Sequence, residues 1–179
     1  MNSIQIDQYI KLCLQGDTNA FRHLLSEYQQ MVYTLAFRML CNETDAEDVT
    51  QDVFIKVWQN IGKYNNTYKF STWLYKITAN LCYDRLRSVK NKEQVGLSGL
   101  TINSDTDILG SIHNKELKAL ILQTTERLTP KQKQVFILSD IEELDIKEIS
   151  IITQMSPSQI KSNLYLARKY IKSKLKPYE

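Results

Sequence analysis

One stretch near the end of the chain, LDIKEISIITQMSPSQIKSNLYLAR at residues 144–168, has a clear pattern of two helices with a short break between them. Its first part is a short helix-forming run, a break follows at Gln154 to Ser156, and a longer run begins at Pro157. Ser156 can cap the second run, and Pro157 suits a first helical turn because the N–H that it lacks would have no partner there. The spacing predicts a helix-turn-helix.

The second helix of this motif is strongly basic. Between Pro157 and Pro177 there is no acidic residue, and the bases are Lys161, Arg168, Lys169, Lys172, Lys174 and Lys176. In a helix-turn-helix the second helix enters the major groove of DNA with its N-terminal side chains at the base edges. The side chains nominated for base contacts are Ser158, Gln159, Lys161, Ser162 and Tyr165. The alternative is an ordinary helical hairpin with a solvated basic face.

The rest of the chain also has a helical composition. Its 179 residues are 42% apolar, with only five Gly and three Pro, so few of the turn residues that all-β folds need are present. Apolar residues recur at steps of three and four. They predict helices at 4–14, 18–40, from about 44 to 60, 71–92, 116–128, 130–139, 146–153 and 157–175. The expected N-caps are Asp17 or Thr18 for the second helix and Ser71 for the fourth, and the segment from Asn42 to Thr44 is expected to close the second helix and open the third.

A polar segment divides these helices into two groups. From Glu93 to Asn114 the composition shifts to Gly, Ser, Thr, Asn and Asp, with little periodicity. Such a segment is typical of a flexible linker. The fold class expected is therefore all-α, with two small helical domains at 1–92 and 115–179 joined by a linker at 93–114.

The first domain contains an acidic helix, DAEDVTQDVFIKVW at residues 45–58. Its carboxylates, with no base among them, are Glu43, Asp45, Glu47, Asp48 and Asp52. Acids at a helix N-terminus favour the helix dipole, so a merely solvated face is one interpretation. The other is a docking face, on which exposed Phe54 or Trp58 supplies affinity and the charges steer a basic helical partner.

Aromatic and basic side chains alternate between residues 63 and 92. They are Lys63, Tyr64, Tyr68, Lys69, Phe70, Trp73, Tyr75, Lys76, Arg85, Arg87, Lys90 and Lys92. Aromatic rings stack on unpaired bases while cations hold the backbone, so the mixture suits single-stranded or opening DNA. Asn65, Asn66 and Thr67 can hydrogen-bond an extruded base. Some rings, Trp73 among them, are expected instead in the core.

Other function classes find little support in the sequence. Cys13, Cys41 and Cys82 are far apart with no CxxC pair, which argues against a disulfide scaffold and a zinc site. His23 and His113 have no evident nucleophile or metal partner, and no Gly-rich phosphate loop is present, so an enzyme and a cofactor are not expected. No apolar stretch approaches the length of a membrane span. The expectation is a cytoplasmic protein without membrane insertion.

Together, the segments resemble the extracytoplasmic-function, or group 4, sigma factors of the sigma-70 family. The stretch GDTNAFRHLLSEYQQMVYTLAFRML at 16–40 resembles the start of the family's sigma-2 domain, and DAEDVTQDVFIKVW its polymerase-binding region. KFSTWLYKITANLCYDRLR at 69–87 is similar to the promoter-melting segment. LTPKQKQVFILSDIEELDIKEIS at 128–150 leads into the sigma-4 helix-turn-helix. Four motifs in the family's order make the resemblance specific.

The resemblance implies an alternative sigma factor, with the clamp helices and flap of core RNA polymerase, promoter DNA and an anti-sigma factor as partners. It assigns core-polymerase binding to Glu47, Asp48, Gln51, Asp52, Phe54 and Trp58. It assigns minus-10 DNA to Asn65, Asn66, Thr67, Tyr68, Lys69, Phe70, Ser71, Thr72, Trp73, Lys76, Asn80 and Arg87. It assigns minus-35 DNA to Ser158, Gln159, Lys161, Ser162, Tyr165 and Arg168, the last on phosphate.

Two positions depart from the family pattern. Gln154 stands in the turn where the family often has Gly, so a positive φ there would carry strain. Asn163 stands where an Arg often follows the Lys-Ser pair, which removes one phosphate contact. The rival interpretation of the chain is a helix-turn-helix regulator that acts without polymerase, and such a regulator would need neither the acidic helix nor the aromatic stretch.

Overall fold

The computed structural model describes residues 3–65, 67–94, 125 and 127–175, and in these ranges it contains helices and no strand. The helices are α1 (Ser3–Leu14), α2 (Thr18–Leu40), α3 (Glu43–Asn60), α4 (Phe70–Gln94), α5 (Pro130–Phe136), α6 (Ile146–Thr153) and α7 (Pro157–Leu175). A short 3-10 turn (Ile61–Lys63) follows α3, and a π-helical turn (Ile137–Ile141) follows α5. The all-α prediction is confirmed.

Side-chain caps set the boundaries of the N-terminal helices. Asp17 accepts hydrogen bonds from the backbone N–H groups of Asn19 and Ala20 and so begins α2. Helix α2 ends at Leu40, and the left-handed backbone of Cys41 (φ 54°) turns the chain. Asn42 then caps α3 by accepting a hydrogen bond from the backbone N–H of Asp45. Two of the predicted caps, Asp17 and Asn42, are therefore confirmed.

The predicted cap of α4 is wrong. The helix begins at Phe70, and the N–H of Trp73 donates to the carbonyl oxygen of Lys69, so Ser71 lies inside the first turn. The C-terminal boundary of α4 falls at Gln94, two residues beyond the predicted edge of the first domain. Of the predicted linker, residues 95–114 lie outside the described residues.

The N-terminal helices α1 to α4 form one core. Helix α2 lies at its centre and packs against α1, α3 and α4. Leu24, Leu35, Met39, Val53 and Leu74 are among the side chains with essentially no exposed surface. The apolar period that predicted these helices is thus the period of their buried faces.

The C-terminal helices α5 to α7 pack around a smaller core that includes Ile137, Ile149, Ile152 and Ile160. Capping boxes fix the starts of α5, with Thr129 and Gln132, and of α6, with Asp145 and Glu148. The predicted helix at 130–139 is divided, because α5 ends at Phe136 and a π-helical turn continues it. Most of the predicted helix at 116–128 lies outside the described residues.

The two groups of helices also pack against each other. Helix α4 of the first group contacts α5 and α6 of the second, and buried residues of both groups belong to one apolar cluster. Polar contacts cross the same interface: Glu142 pairs with Arg38, and Gln134 donates to the carbonyl oxygen of Ala79. In this arrangement the two domains form one closed body. No helix in the described part of the chain is long and apolar enough to cross a membrane.

Candidate polymerase and nucleic-acid interfaces

Helix α3 has one exposed face, which carries most of its polar side chains, and one buried apolar face. The exposed side chains nominated for docking are Glu47, Asp48, Gln51, Asp52 and Trp58, of which Trp58 is 37% exposed. The exposure predicted for Phe54 is wrong. Its side chain is only 6% exposed and packs edge-on against Phe21, with ring centroids 6.3 Å apart. Phe54 therefore belongs to the buried side of α3, where it packs against α2.

An apolar residue missing from the nominated set lies in the middle of this face. Ile55 is 54% exposed and stands four residues after Gln51 and three before Trp58, so all three side chains project from one side of α3. Helical spacing in the sequence already places Ile55 beside Gln51 and Trp58. Spacing alone does not predict that Ile55 is exposed, because apolar residues of an amphipathic helix are expected to face the core.

A base from α4 partly neutralises the acidic face. The Arg85 Nε atom lies 3.4 Å from Asp45 Oδ1, and one terminal nitrogen lies 3.4 Å from Asp48 Oδ2. The other terminal nitrogen donates to the carbonyl oxygen of Asp45 at 3.2 Å. These pairs are exposed and weak individually. Together they connect α4 to α3, and they leave Glu47 and Asp52 as exposed carboxylates of α3 that Arg85 does not contact.

An aromatic cluster supports the loop between α3 and α4. The Tyr64 ring lies 5.2 Å from Phe70 and 5.4 Å from Trp73, and Tyr28 packs on Phe70 at 5.4 Å. The Tyr64 hydroxyl donates to the carbonyl oxygen of Tyr68 at 2.9 Å, which joins the two ends of the loop. Burial raises the pKa of Tyr64, so the hydroxyl stays protonated as a donor.

The nominated minus-10 residues divide into exposed and buried sets. The exposed ones are Asn65, Thr67, Tyr68, Lys69, Asn80 and Arg87. Ser71, Trp73 and Lys76 are partly exposed. Asn66 lies outside the described residues. Phe70 and Thr72 are buried in this arrangement, at 3% and 7% exposed, so neither presents its side chain at the surface here.

The helix-turn-helix has the predicted form. Gln154 at the turn has φ 59° and ψ 18°, a left-handed conformation, so the strain expected for a non-glycine residue there is present. Ser156 and Gln159 form a capping box: Gln159 N donates to the Ser156 hydroxyl, and Ser156 N donates to Gln159 Oε1 at 2.9 Å. The cap predicted at Ser156 is confirmed, and the side-chain oxygen of Gln159, a residue nominated to read bases, accepts a hydrogen bond within the cap.

The remaining minus-35 candidates lie on the outer side of α7. Ser158, Lys161, Ser162 and Tyr165 are exposed, with Tyr165 at 64%. Arg168, nominated for phosphate, instead forms a bidentate ion pair with Asp140. Its Nε atom donates to Oδ2 at 2.8 Å and a terminal nitrogen donates to Oδ1 at 2.6 Å. Asn163 donates to the carbonyl oxygen of Gln159 on its own helix. The exposed cations free of such pairing on this helix include Lys161, Lys169 and Lys172.

The described residues contain no group of His, Cys, Asp and Glu that could hold a metal ion. Cys13, Cys41 and Cys82 are buried thiols and form no disulfide, and burial raises the pKa of Cys82 to about 12. His23 stacks on Tyr9 with ring centroids 5.0 Å apart. His113 lies outside the described residues.

Comparison with known proteins decides the family. The chain matches the model of sigma-70 region 2 over residues 24–92 and that of sigma-70 region 4 over residues 118–171. It is 33% identical to the ECF RNA polymerase sigma factor SigW of Bacillus subtilis, over 97% of this chain and 98% of that protein. The chain is an extracytoplasmic-function sigma factor. It is thus an alternative sigma factor for transcription initiation, with a sigma-2 domain in α1 to α4 and a sigma-4 domain in α5 to α7.

Further similarities cover the same two domains. The RNA polymerase sigma-H factor of Pseudomonas aeruginosa is 26% identical, over 97% of this chain and 95% of that protein. Among solved structures, that of CnrH in complex with the cytosolic domain of CnrY covers 98% of this chain and 97% of CnrH, with a TM-score of 0.69 and 20% identity. That of the sigma factor RpoE with the anti-sigma factor NepR from Bartonella quintana covers 87% and 96%, with a TM-score of 0.67 and 23% identity. At these identities the structures show a shared fold.

Proposed function

We propose that this sigma factor binds core RNA polymerase through the exposed face of α3 formed by Glu47, Asp48, Gln51, Asp52, Ile55 and Trp58. The carboxylates would steer a basic helical partner, for which the family resemblance suggests the clamp helices of the large subunit. Ile55 and Trp58 would supply the apolar contact that carries most of the affinity at such an interface. The observation that carries the proposal is this combination of outer charges with two exposed apolar anchors on one helix face.

The proposed minus-10 surface is the loop after α3 together with the outer side of α4. Asn65 and Thr67 would hydrogen-bond a base that has left the stack, while Tyr68 would offer an exposed ring. Lys69, Lys76 and Arg87 would hold the strand, and Asn80 and the exposed edge of Trp73 lie among them. Stacking of each base contributes about 1–3 kcal/mol. Because this binding is available only to the open strand, it shifts the duplex toward opening without nucleotide hydrolysis.

The proposed minus-35 reader is the N-terminal half of α7. Ser158, Lys161, Ser162 and Tyr165 would reach base edges in the major groove. Lys169 would add phosphate contact, and Arg168 would join it only after leaving Asp140, which its half-exposed guanidinium permits. The sigma-4 domain would also contact the flap of the polymerase.

The proposal also covers the domain boundaries, the site of action and the control of the protein. The sigma-2 domain would span residues 1–92, the linker 93–114 and the sigma-4 domain 115–179. The protein would act in the cytoplasm by binding alone, without catalysis. Because related folds have been solved with CnrY and with the anti-sigma factor NepR, we propose that an anti-sigma factor also controls this chain.

The test is capture of purified bacterial core polymerase by the tagged chain in the absence of DNA. An Asp48→Arg, Trp58→Ala variant should lose capture. A matched variant, Asp84→Arg, Tyr68→Ala, makes the same kinds of change at exposed positions of the sigma-2 domain outside the α3 face and should retain it. Equal capture by both variants would place the docking surface elsewhere. Absence of capture by the native chain, with duplex DNA still bound, would favour a regulator that acts without polymerase.

A further inference from the structure

The interface between the two domains contains a buried ionic contact. The side chain of Glu142, in the sigma-4 domain, is only 10% exposed. It accepts a hydrogen bond from a terminal nitrogen of Arg38 at 2.6 Å and one from the Tyr75 hydroxyl at 2.9 Å. Arg38 belongs to α2 and Tyr75 to α4, so two helices of the sigma-2 domain converge on one carboxylate of the sigma-4 domain.

Other groups at the interface are equally shielded from water. Gln134, 3% exposed, donates to the carbonyl oxygen of Ala79 at 3.2 Å. Lys133, 8% exposed, places its Nζ atom 3.8 Å from the sulfur of Cys41. Polar groups hidden to this degree lose hydration, so they favour the closed state only while their partners across the interface remain in place.

The closed body is too small to contact both promoter elements. A compact chain of 179 residues has a radius of gyration of about 16 Å, which corresponds to a sphere about 40 Å across. The minus-10 and minus-35 elements are centred about 25 base pairs apart, or about 85 Å along B-form DNA. A sigma factor that reads both elements of one promoter must therefore separate its domains.

We propose that Glu142, with Arg38 and Tyr75, is an intramolecular latch that holds the free sigma factor closed and opposes engagement of the polymerase and promoter. The effect of the latch on polymerase binding rests on the proposed function, whereas the latch itself is inferred from the contacts at the domain interface alone. If the open form is a small fraction of the free protein, the apparent affinity for any partner that requires it falls by that fraction. Weakening the latch should therefore tighten core binding.

Cys41 offers a native reporter of opening. The residue is only 6% exposed, and the Nζ atom of Lys133 in the sigma-4 domain lies 3.8 Å from its sulfur, so separation of the domains should admit a thiol reagent. Cys13, 4% exposed, lies in α1 within the sigma-2 domain and should stay protected unless the domain unfolds. The ratio of the two labelling rates distinguishes opening from unfolding.

The experiment compares the full-length native chain with Glu142→Gln, Tyr75→Phe and Glu143→Gln. Glu143 is exposed and adjacent, so its variant makes the same change of charge outside the latch. Maleimide labelling is followed by peptide mass spectrometry, and core affinity by fluorescence anisotropy. Loss of a charge-assisted hydrogen bond should raise the Cys41 rate roughly tenfold in Glu142→Gln and less in Tyr75→Phe, with no change in Cys13.

The dissociation constant for core polymerase should fall in Glu142→Gln by the same factor as labelling rises, and Glu143→Gln should match the native chain in both. Unchanged Cys41 labelling in both latch variants would overturn the proposal. Faster labelling with unchanged core affinity would also overturn it, because opening would then not limit binding. A native chain that binds no polymerase would refute the proposed function instead, and the labelling result would still decide whether the latch exists.

Discussion

Phe54 and Trp58 lie on the same helix, but we expect Phe54 to contribute mainly to the stability of the fold and Trp58 mainly to polymerase binding. They are four residues apart in α3, and both rings contact Phe21, yet Phe54 is 6% exposed and Trp58 37%. Replacing a buried Phe by Ala costs about 3–5 kcal/mol, because apolar burial is lost and a cavity remains. With an unfolding entropy of about 2.1 cal/mol/K per residue over 179 residues, a loss of about 4 kcal/mol lowers the melting temperature by about 10 °C.

Trp58→Ala should behave differently. The indole already meets water and contributes an edge contact to Phe21 at 5.0 Å, so its removal should cost about 1–2 kcal/mol. Calorimetry and urea titration measure the stabilities, and polymerase capture measures binding at a temperature where both variants are folded. Phe54→Ala should be unstable but competent, and Trp58→Ala stable but impaired. A Phe54→Ala variant within about 1 kcal/mol of the native chain would refute the assignment of Phe54 to the core.

Four further predictions follow from single contacts. Gln154→Gly should raise the unfolding free energy by about 0.5–1 kcal/mol in urea titration by relieving the left-handed backbone, whereas Gln154→Ala should give no gain. Ile55→Ser should weaken polymerase capture without lowering the melting temperature, since Ile55 is exposed. Tyr64→Phe should slow promoter opening, measured by permanganate footprinting, and leave core affinity unchanged, because only the hydroxyl contact to Tyr68 is lost. Burial raises the pKa of Cys82 from 9.0 to about 12, so its neutral form stabilises the fold below pH 9 and that contribution is lost as pH rises toward 12; urea midpoints of Cys82→Ala should fall less steeply over that range.

Local features of the fold were predictable because short-range chemistry determines them. The caps at Asp17, Asn42 and Ser156 are side-chain contacts to N–H groups two or three residues away, and sequence spacing contains them. The left-handed turn at Gln154 was expected only through the resemblance to a family that often has Gly at this position. Ser71 failed as a cap because α4 begins one residue before it, in a turn shaped by the aromatic cluster around Phe70.

Contacts between distant segments were beyond the sequence. Whether Phe54 or Ile55 faces outward depends on where Phe21 of α2 lies, and helical period alone does not fix that position. The ion pair of Arg168 with Asp140 could not be foreseen, because Asp140 is 28 residues away in the sequence, on the π-helical turn. Arg38 and Glu142 are 104 residues apart and meet only because the two domains close on each other, which the polar linker gave no reason to expect.

The most direct test of the account is transcription from the organism's own genomic fragments by purified core polymerase, with and without this chain. Start sites are mapped by sequencing. We expect start sites that require the chain and share one upstream pair of sequence elements, at the minus-10 and minus-35 positions, with no nucleotide hydrolysis needed for opening. If the core enzyme binds the chain yet gives no start that depends on it, promoter recognition by these surfaces is contradicted.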